Sequence, residues 1–134
     1  MVICFDCDKT LFKYSDNIEV VGEPIPHTVE ALRKLYDMGH TIIIFSGRPT
    51  EQIIPVVKKY ELPVHKVNDV LLMPSSEIKD DPSGVKPHYD VIVDDKALNP
   101  RDYSSADELV NDILNFGEVQ NKVISFCVLL GKSR

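Results

Sequence analysis

Two carboxylates lie two residues apart near the start of the chain, in the run Phe5-Asp6-Cys7-Asp8, directly after the apolar residues 2–5. If that apolar segment is a strand, alternate side chains share a face, so Asp6 and Asp8 leave the strand on the same side. Neighbouring carboxylates repel each other unless a cation or a shared proton compensates them. The pair therefore predicts a metal ion, separate nucleophile and acid roles, or both. The structural alternative is a solvated turn with capping aspartates.

Two other apolar segments, residues 41–45 and 91–93, also end in polar side chains. The residues that follow them, with one lysine shortly before the second segment, are Ser46, Gly47, Arg48, Asp94, Asp95 and Lys86. Because the functional crevice of a parallel sheet lies at the carboxyl ends of its strands, we expect these groups to converge with the first pair. Carboxylates, a hydroxyl and an ammonium group are what phosphoryl transfer needs: a nucleophile, an acid and base, metal ligands and phosphate donors.

Hydrophobic periodicity predicts the elements that hold these groups. Helical spacing covers residues 28–38, ended by Gly39, then residues 50–60, bent or shortened by Pro55, and a last helix capped at Ser104 or Ser105. The predicted strands are residues 2–5, 41–45, 67–73, 88–93 and 123–130, with polar loops at 11–26 and 74–87. The order predicts an α/β fold with a Rossmann-like, doubly wound, mainly parallel sheet.

The length and net charge of the chain limit the classes of function that it can have. With 134 residues we expect a single domain, residues 1–134, without room for a separate cap domain. The net charge of −6 argues against a general nucleic-acid surface, although a local basic groove stays open. The sequence shows neither an apolar stretch near the ~20 residues of a membrane span nor the features of a signal peptide. We therefore expect a cytoplasmic protein with no membrane partner.

The cysteines Cys4 and Cys7 suggest a redox or zinc motif, but residues three apart on a strand point to opposite faces. Without a second cysteine pair or a histidine pair to complete a zinc site, we interpret them as small hydrophobic residues.

Three motifs in order resemble those of the haloacid dehalogenase superfamily. FDCDKTLF resembles its first motif, DxDx[TV]; IIIFSGRP is similar to its second, a strand ending in Ser or Thr; and VIVDD is similar to its fourth, a strand ending in paired acids. The resemblance spans residues 2 to about 100. It implies a magnesium-dependent phosphatase on a Rossmann-like domain, and the length and the segment KPHYDVIVDDKALNP resemble the small members without a cap.

The resemblance also implies roles for individual residues. Asp6 is the nucleophile that forms an aspartyl-phosphate, and Asp8 is first the general acid and then the base. Magnesium is held by the Asp6 carboxylate, the Asp8 backbone carbonyl and one acid of the pair Asp94 and Asp95. The substrate phosphate is bound by Thr10, Ser46, Gly47, Arg48 and Lys86.

Two of these assignments leave alternatives, and one further position departs from the family pattern. Arg48 can instead form a salt bridge to a neighbouring acid such as Glu51. Lys79 replaces Lys86 if the loop before the fourth motif folds differently, since only seven residues separate Lys86 from Asp94. Lys9 occupies a position where glycine is commonest in the family, and we expect its side chain to point away from the site.

The expected substrate is a small phosphorylated metabolite, a phosphosugar or a nucleotide. The alternative is a polynucleotide 3′-phosphatase, because LLMPSSEIKDD followed by Lys86 is similar to the phosphatase half of phage polynucleotide kinases. An alternative of another class is a non-catalytic phospho-aspartate or phosphate-binding regulatory module. We also expect a symmetric homo-oligomer in which the loop 11–26 of one protomer leans over the site of its neighbour.

Overall fold

The chain forms one five-stranded, mostly parallel sheet in a computed structural model that describes residues 1–73, 89–94 and 103–120. The strands are β1 (Val2–Phe5), β2 (Thr41–Ile44), β3 (Lys66–Val67), β4 (Val70–Leu71) and β5 (Val91–Val93). The helices within the described ranges are α1 (Pro26–Asp37), α2 (Thr50–Lys59) and α3 (Ala106–Gln120). The strand order is β4-β3-β2-β1-β5, and β4 runs antiparallel to β3 while the other pairs are parallel.

Strand β1 lies inside the sheet, between β2 and β5. Strand β1 pairs with β2 on one side, with Phe5 opposite Ile44, and with β5 on the other, with Phe5 opposite Val93. The chain passes through β2 and β3 on one side before it returns to β5 on the other. The carboxyl end of β1 is therefore the point where the strand order reverses, which is where open α/β sheets place their ligands. The mainly parallel, Rossmann-like α/β prediction is confirmed.

One strand prediction is wrong. Residues 67–73 do not form a single strand; they divide between the end of β3 and the short antiparallel β4, joined by a turn at Asn68 and Asp69. Asn68 has φ 52°, a left-handed conformation that asparagine tolerates better than most residues. Val70 and Leu71 are exposed, so this apolar run is an edge hairpin rather than a buried strand.

The helix ends follow local chemistry. Helix α1 begins with Pro26, where a backbone N–H would have no partner within the helix. Gly39 follows the end of the helix with φ +93°, a left-handed conformation that favours glycine. Helix α2 continues through Pro55, which removes one internal hydrogen bond. Before α3, the Ser105 hydroxyl accepts the Glu108 amide N–H at 3.3 Å, so Ser105 acts as one of the two predicted caps.

The core lies mainly on one face of the sheet. A large buried cluster joins β1 and β2 to all three described helices, through residues such as Ile3, Leu32, Ile53 and Leu109. Full burial of each such side chain contributes about 1.5–3 kcal/mol. A smaller cluster of Val2, Cys4 and Ile43 covers the other face, whereas Cys7 belongs to the large one. The two cysteines therefore face opposite ways, as small buried residues.

The predicted strand 123–130 and the predicted loop 74–87 lie outside the described residues. Of the helices in the described ranges, none has the length and apolar character that crossing a membrane demands.

Candidate active site

The chain turns sharply directly after β1. The Asp6 amide N–H donates to the Val93 carbonyl at 3.0 Å, the hydrogen bond that completes the pairing of Phe5 with Val93 at the end of β1 and β5. The Cys7 carbonyl then accepts amide N–H groups at 3.0–3.3 Å from Thr10, Leu11 and Phe12. Lys9 has φ 63°, a conformation that explains why glycine suits this position. The turn keeps Asp8 at the mouth of the strand rather than letting the strand continue.

A cavity of about 680 Å³ opens at this edge of the sheet. Its volume falls within the roughly 300–1,000 Å³ of small-molecule sites. One wall consists of Asp6 and Asp8 together with residues from the loop after β2 and the start of α2: Ser46, Gly47, Arg48, Pro49 and Gln52. The rest of the lining comes from the segment before α1, with Tyr14, Ser15, Ile18 and Glu19. The structure thus brings five of the predicted site residues to one cavity.

Arg48 forms the most extensive polar contacts in this cavity. Its Nε–H donates to both Asp8 carboxylate oxygens at 2.9 Å, and its Nη1 donates to Gln52 Oε1 at 2.9 Å and to the Ile18 carbonyl at 3.0 Å. The Arg48 side chain is 10% exposed and that of Asp8 33%. The salt bridge that Arg48 makes is therefore with Asp8 and not with Glu51. Within the described ranges Arg48 Nη2 has no hydrogen-bond acceptor, so it can donate to a ligand.

Asn68 fixes the loop that carries Ser46, a role that sequence reasoning missed. The Asn68 side-chain oxygen accepts the Ser46 amide N–H at 2.9 Å, and its Nδ2 donates to the Thr50 hydroxyl at 2.9 Å. The Asn68 amide N–H donates to the Ile44 carbonyl at 2.8 Å. One side chain thus ties the end of β2 to the start of α2. The pair Asn68-Asp69 is a turn signal that could have indicated the hairpin, but not these contacts.

Residues 11–25 form a flap that lies over the cavity of its own chain. Leu11 and Phe12 are fully buried and anchor it. Its two arms meet where the Lys13 amide N–H donates to the Glu23 carbonyl at 2.7 Å. A Cβ at Gly22 would lie 2.1 Å from the Lys13 carbonyl oxygen, so only glycine fits this closure. Its residues Tyr14, Ser15, Ile18 and Glu19 line the cavity of the same chain. The homo-oligomer in which the flap leans over a neighbouring protomer's site stays a prediction.

Lys9 is exposed and is not among the residues that line the cavity, so its pointing away from the site stays a prediction. Its ammonium nitrogen lies 5.4 Å from the centroid of the Tyr14 ring, within the range of a cation–π contact. Because Tyr14 lines the cavity, this contact links the turn after β1 to the flap.

The Cys7 thiol is held in its protonated form. Burial, followed by the negative charges of Asp8 and Asp6, raises the pKa of Cys7 to about 12, and the positive charge of Arg48 opposes the shift only in part. A thiol held in its protonated form is a poor nucleophile. Cys7 is therefore a packing residue beneath the two aspartates.

Other predicted site residues stand apart from this group. Thr10 is fully buried, its hydroxyl has no hydrogen-bond partner in the part of the chain that the structure describes, and it is not among the residues that line the cavity. Its contact with a phosphate stays a prediction. Lys86, Lys79 and Asp95 lie outside the described residues.

The oxygen donors at this edge suit a magnesium ion, as far as the structure describes them. Asp6 follows the end of β1 and Asp94 follows the end of the neighbouring strand β5, although Asp94 is not among the residues that line the cavity. No residue in the described ranges donates a hydrogen bond to the Asp8 carbonyl oxygen. Magnesium prefers such hard oxygen ligands. Residues 1–73, 89–94 and 103–120 hold no cluster of three His, Cys, Asp or Glu side chains able to bind a metal. The implied magnesium ligands include the Asp8 backbone carbonyl, which is not a side chain, and Asp95, which is outside these ranges.

Comparison with known proteins agrees with this geometry. The chain matches the model of a family described as haloacid dehalogenase-like hydrolase over residues 3–76. It is similar to the solved structure of a conserved protein from Bacteroides thetaiotaomicron, with a TM-score of 0.59 and 21% identity, covering 100% of this chain and 98% of that one. This likeness concerns the fold alone. No curated protein matches the chain. Since the family model covers more than half of the chain, including β1, the flap and the loop after β2, the protein belongs to the haloacid dehalogenase-like hydrolases.

Proposed function

We propose that this hydrolase is a magnesium-dependent phosphomonoesterase that works through an aspartyl-phosphate on Asp6 and acts on a small phosphorylated metabolite. The observation that carries the proposal is the shared cavity: Asp6 and Asp8 line one wall together with Ser46, Gly47 and Arg48. Two carboxylates beside a hydroxyl and a guanidinium supply a nucleophile, a proton carrier and donors for phosphate oxygens.

In the first step an Asp6 carboxylate oxygen attacks phosphorus, and the bond from phosphorus to the alcohol oxygen breaks as Asp8 gives that oxygen a proton. In the second step water attacks the aspartyl-phosphate, Asp8 takes a proton from the water, and inorganic phosphate leaves with Asp6 restored. When bound, a magnesium ion held by Asp6, the Asp8 carbonyl and Asp94 or Asp95 supplies positive charge that offsets the charge of the phosphoryl group.

Arg48 contacts Asp8 and has donors left for a substrate phosphate. The contact from Arg48 Nε suits the carboxylate form of Asp8, which is the form that accepts a proton from water. The acid step instead needs a proton on Asp8. Arg48 Nη2, which has no acceptor in the described ranges, is placed to donate to a substrate phosphate.

Phosphate release from a panel of monoesters tests the proposal. Asp6→Asn keeps the shape of the side chain but cannot attack phosphorus, so it should abolish turnover while circular dichroism and the unfolding midpoint stay close to the parent. Asp37→Asn is the matched control, because Asp37 is an exposed carboxylate at the end of α1, away from the catalytic edge. Full turnover in a folded Asp6→Asn protein would refute the nucleophile assignment.

The metal requirement is tested separately. Activity should vanish with chelator, return with added magnesium, and fall in Asp94→Ala, because that change removes an oxygen ligand or its support. Undiminished turnover in excess chelator would contradict the metal-dependent mechanism.

The alternatives predict other results with the same panel. A polynucleotide 3′-phosphatase would prefer 3′-phosphorylated oligonucleotides to small esters, and a regulatory phosphate-binding module would release no phosphate from any of them. Against the polynucleotide reading, the flap carries Asp16, Glu19 and Glu23 but a single lysine, Lys13, so it would repel a polyanionic strand.

A further inference from the structure

The flap presents two large apolar side chains to the cavity. Tyr14 is 64% exposed and Ile18 82% exposed, yet both line the cavity that holds Asp6 and Asp8. They do not hold the flap in place, because Leu11 and Phe12 supply its buried anchors. Exposed apolar groups that face a polar catalytic wall are typical of a surface that a ligand covers.

The position of Tyr14 is supported from below. The Lys9 ammonium lies 5.4 Å from the centroid of the Tyr14 ring, and Lys9 itself is held in the tight turn after β1, where its amide N–H donates to the Phe12 carbonyl at 2.7 Å. A ring restrained in this way loses less conformational freedom when a flat ligand packs against it.

Charge limits what the flap can accept. Glu19 lines the cavity beside Ile18, and Asp16 and Glu23 add to the negative charge of the flap. The guanidinium of Arg48, where a phosphate would bind, contacts the flap at the Ile18 carbonyl, at 3.0 Å. Of the charged residues that line the cavity, Asp6, Asp8 and Glu19 are acidic and Arg48 is basic, so a second negative charge on the leaving group would be repelled. The cavity therefore suits an ester whose leaving group is uncharged.

We infer that Tyr14 and Ile18 form a leaving-group subsite for an uncharged aromatic group, which makes nucleoside monophosphates better substrates than phosphosugars. The inference rests on the proposed function, which supplies the phosphate end of the same site. A nucleobase offers the flat face that stacks on a tyrosine ring, whereas the hydroxyls of a sugar gain little from an apolar wall. The phosphate then lies toward Asp6 and Arg48, and the base lies under the flap.

Adenosine 5′-monophosphate and ribose 5-phosphate provide a matched test, since the bond that breaks is to the same primary alcohol and only the base differs. We expect kcat/KM to be about tenfold higher for the nucleotide, the size of one base–aromatic stack. Tyr14→Ala should remove most of this preference through a higher KM for the nucleotide, with ribose 5-phosphate unchanged, and Ile18→Ala should reduce it. Tyr14→Phe should keep the preference, because the ring face is retained.

Val20→Ala is the control within the flap, because Val20 is 50% exposed but is not among the residues that line the cavity. It should change neither substrate. Equal kcat/KM for the two esters in the parent protein, or an equal loss on both in Tyr14→Ala, would overturn the inference while leaving the phosphatase proposal in place.

Calorimetric titration of Asp6→Asn with the two esters separates this inference from the proposed function. Suppose that the parent protein releases no phosphate from any ester. The subsite would still be supported if the nucleotide binds more tightly than ribose 5-phosphate and Tyr14→Ala abolishes this difference. Equal binding of the two esters would refute it.

Discussion

The contact between Arg48 and Asp8 should contribute measurably to folding stability, and a double-mutant cycle of Arg48→Ala and Asp8→Ala isolates it. The cycle compares the free energies of unfolding of the parent, the two single variants and the double variant, so that contacts which only one residue makes cancel. This matters because Arg48→Ala alone also loses the contacts to Gln52 and the Ile18 carbonyl.

The magnitude follows from the geometry. Arg48 Nε carries one hydrogen, so the two 2.9 Å distances to the Asp8 oxygens are one bifurcated hydrogen bond and count once. A hydrogen bond to a charged group contributes about 1.5–3 kcal/mol. Because the Asp8 side chain is 33% exposed and water screens the pair in part, we expect a coupling energy of about 1–2 kcal/mol. Arg48→Ala alone should cost about 2–3 kcal/mol, since two further hydrogen bonds are lost.

Urea unfolding followed by circular dichroism measures these values. With a slope of about 2 kcal/mol per molar urea, Arg48→Ala should lower the midpoint by about 1 M. The pair Lys34 and Asp107, which lies at 3.1 Å with side chains 43% and 77% exposed, is the matched control. Its coupling should be smaller than that of Arg48 and Asp8 and should weaken more in concentrated salt. A coupling near zero for Arg48 and Asp8, or one no larger than that of the exposed pair, would refute the reasoning.

Three further expectations test the support of the site. Asn68→Gly keeps the left-handed backbone but loses both side-chain contacts, so kcat should fall by about tenfold with a small loss of stability. An unchanged kcat would show that Asn68 does not position the site. Gly22→Ala should cost about 1–3 kcal/mol and make the flap cleavable in limited proteolysis, whereas Gly47→Ala, whose Cβ meets no atom within 4 Å, should not. In chelated protein the Cys7 thiol, with its pKa raised to about 12, should resist iodoacetamide at pH 8 until denaturant is added; rapid native labelling would contradict its burial.

The raised pKa of Cys7 predicts the direction in which the free energy of unfolding changes at high pH. The folded state holds the thiol proton up to about pH 12, while the unfolded thiol loses it near its ordinary value of 9.0. Above that value the unfolded chain binds fewer protons than the folded one, so stability in chelated protein should fall as the pH rises from 9 toward 12. Cys7→Ala should make this fall shallower in urea unfolding at several pH values.

The catalytic edge could be predicted from the sequence because each of its parts is local. An apolar run that ends in polar residues indicates a buried strand and its exit, and parallel strands place their exits at one edge. Asp6, Asp8 and Ser46 were found in this way. The division of residues 67–73 into two short strands was missed, because an exposed apolar pair at Val70 and Leu71 has the same composition as a buried strand.

Contacts between distant segments could not be predicted in the same way. Arg48 and Asp8 are 40 residues apart, and Asn68 reaches Ser46 across 22 residues. Such pairs depend on the order of strands in the sheet and on the shape of the flap, neither of which a local pattern specifies. Glu51 was an expected partner of Arg48 because it is near in sequence, but the turn before α2 directs the guanidinium toward β1 instead.

Arg48 joins three parts of the site that the chain supplies separately. Its Nε contacts Asp8 after β1, and its Nη1 contacts Gln52 on α2 and the Ile18 carbonyl on the flap. A phosphate can accept hydrogen bonds from Nη2, which has no acceptor in the described ranges, while these three contacts stay in place. The guanidinium that would meet the phosphate is therefore held by β1, α2 and the flap together. Lysine, which is a point charge without this fork, could not make the same three contacts.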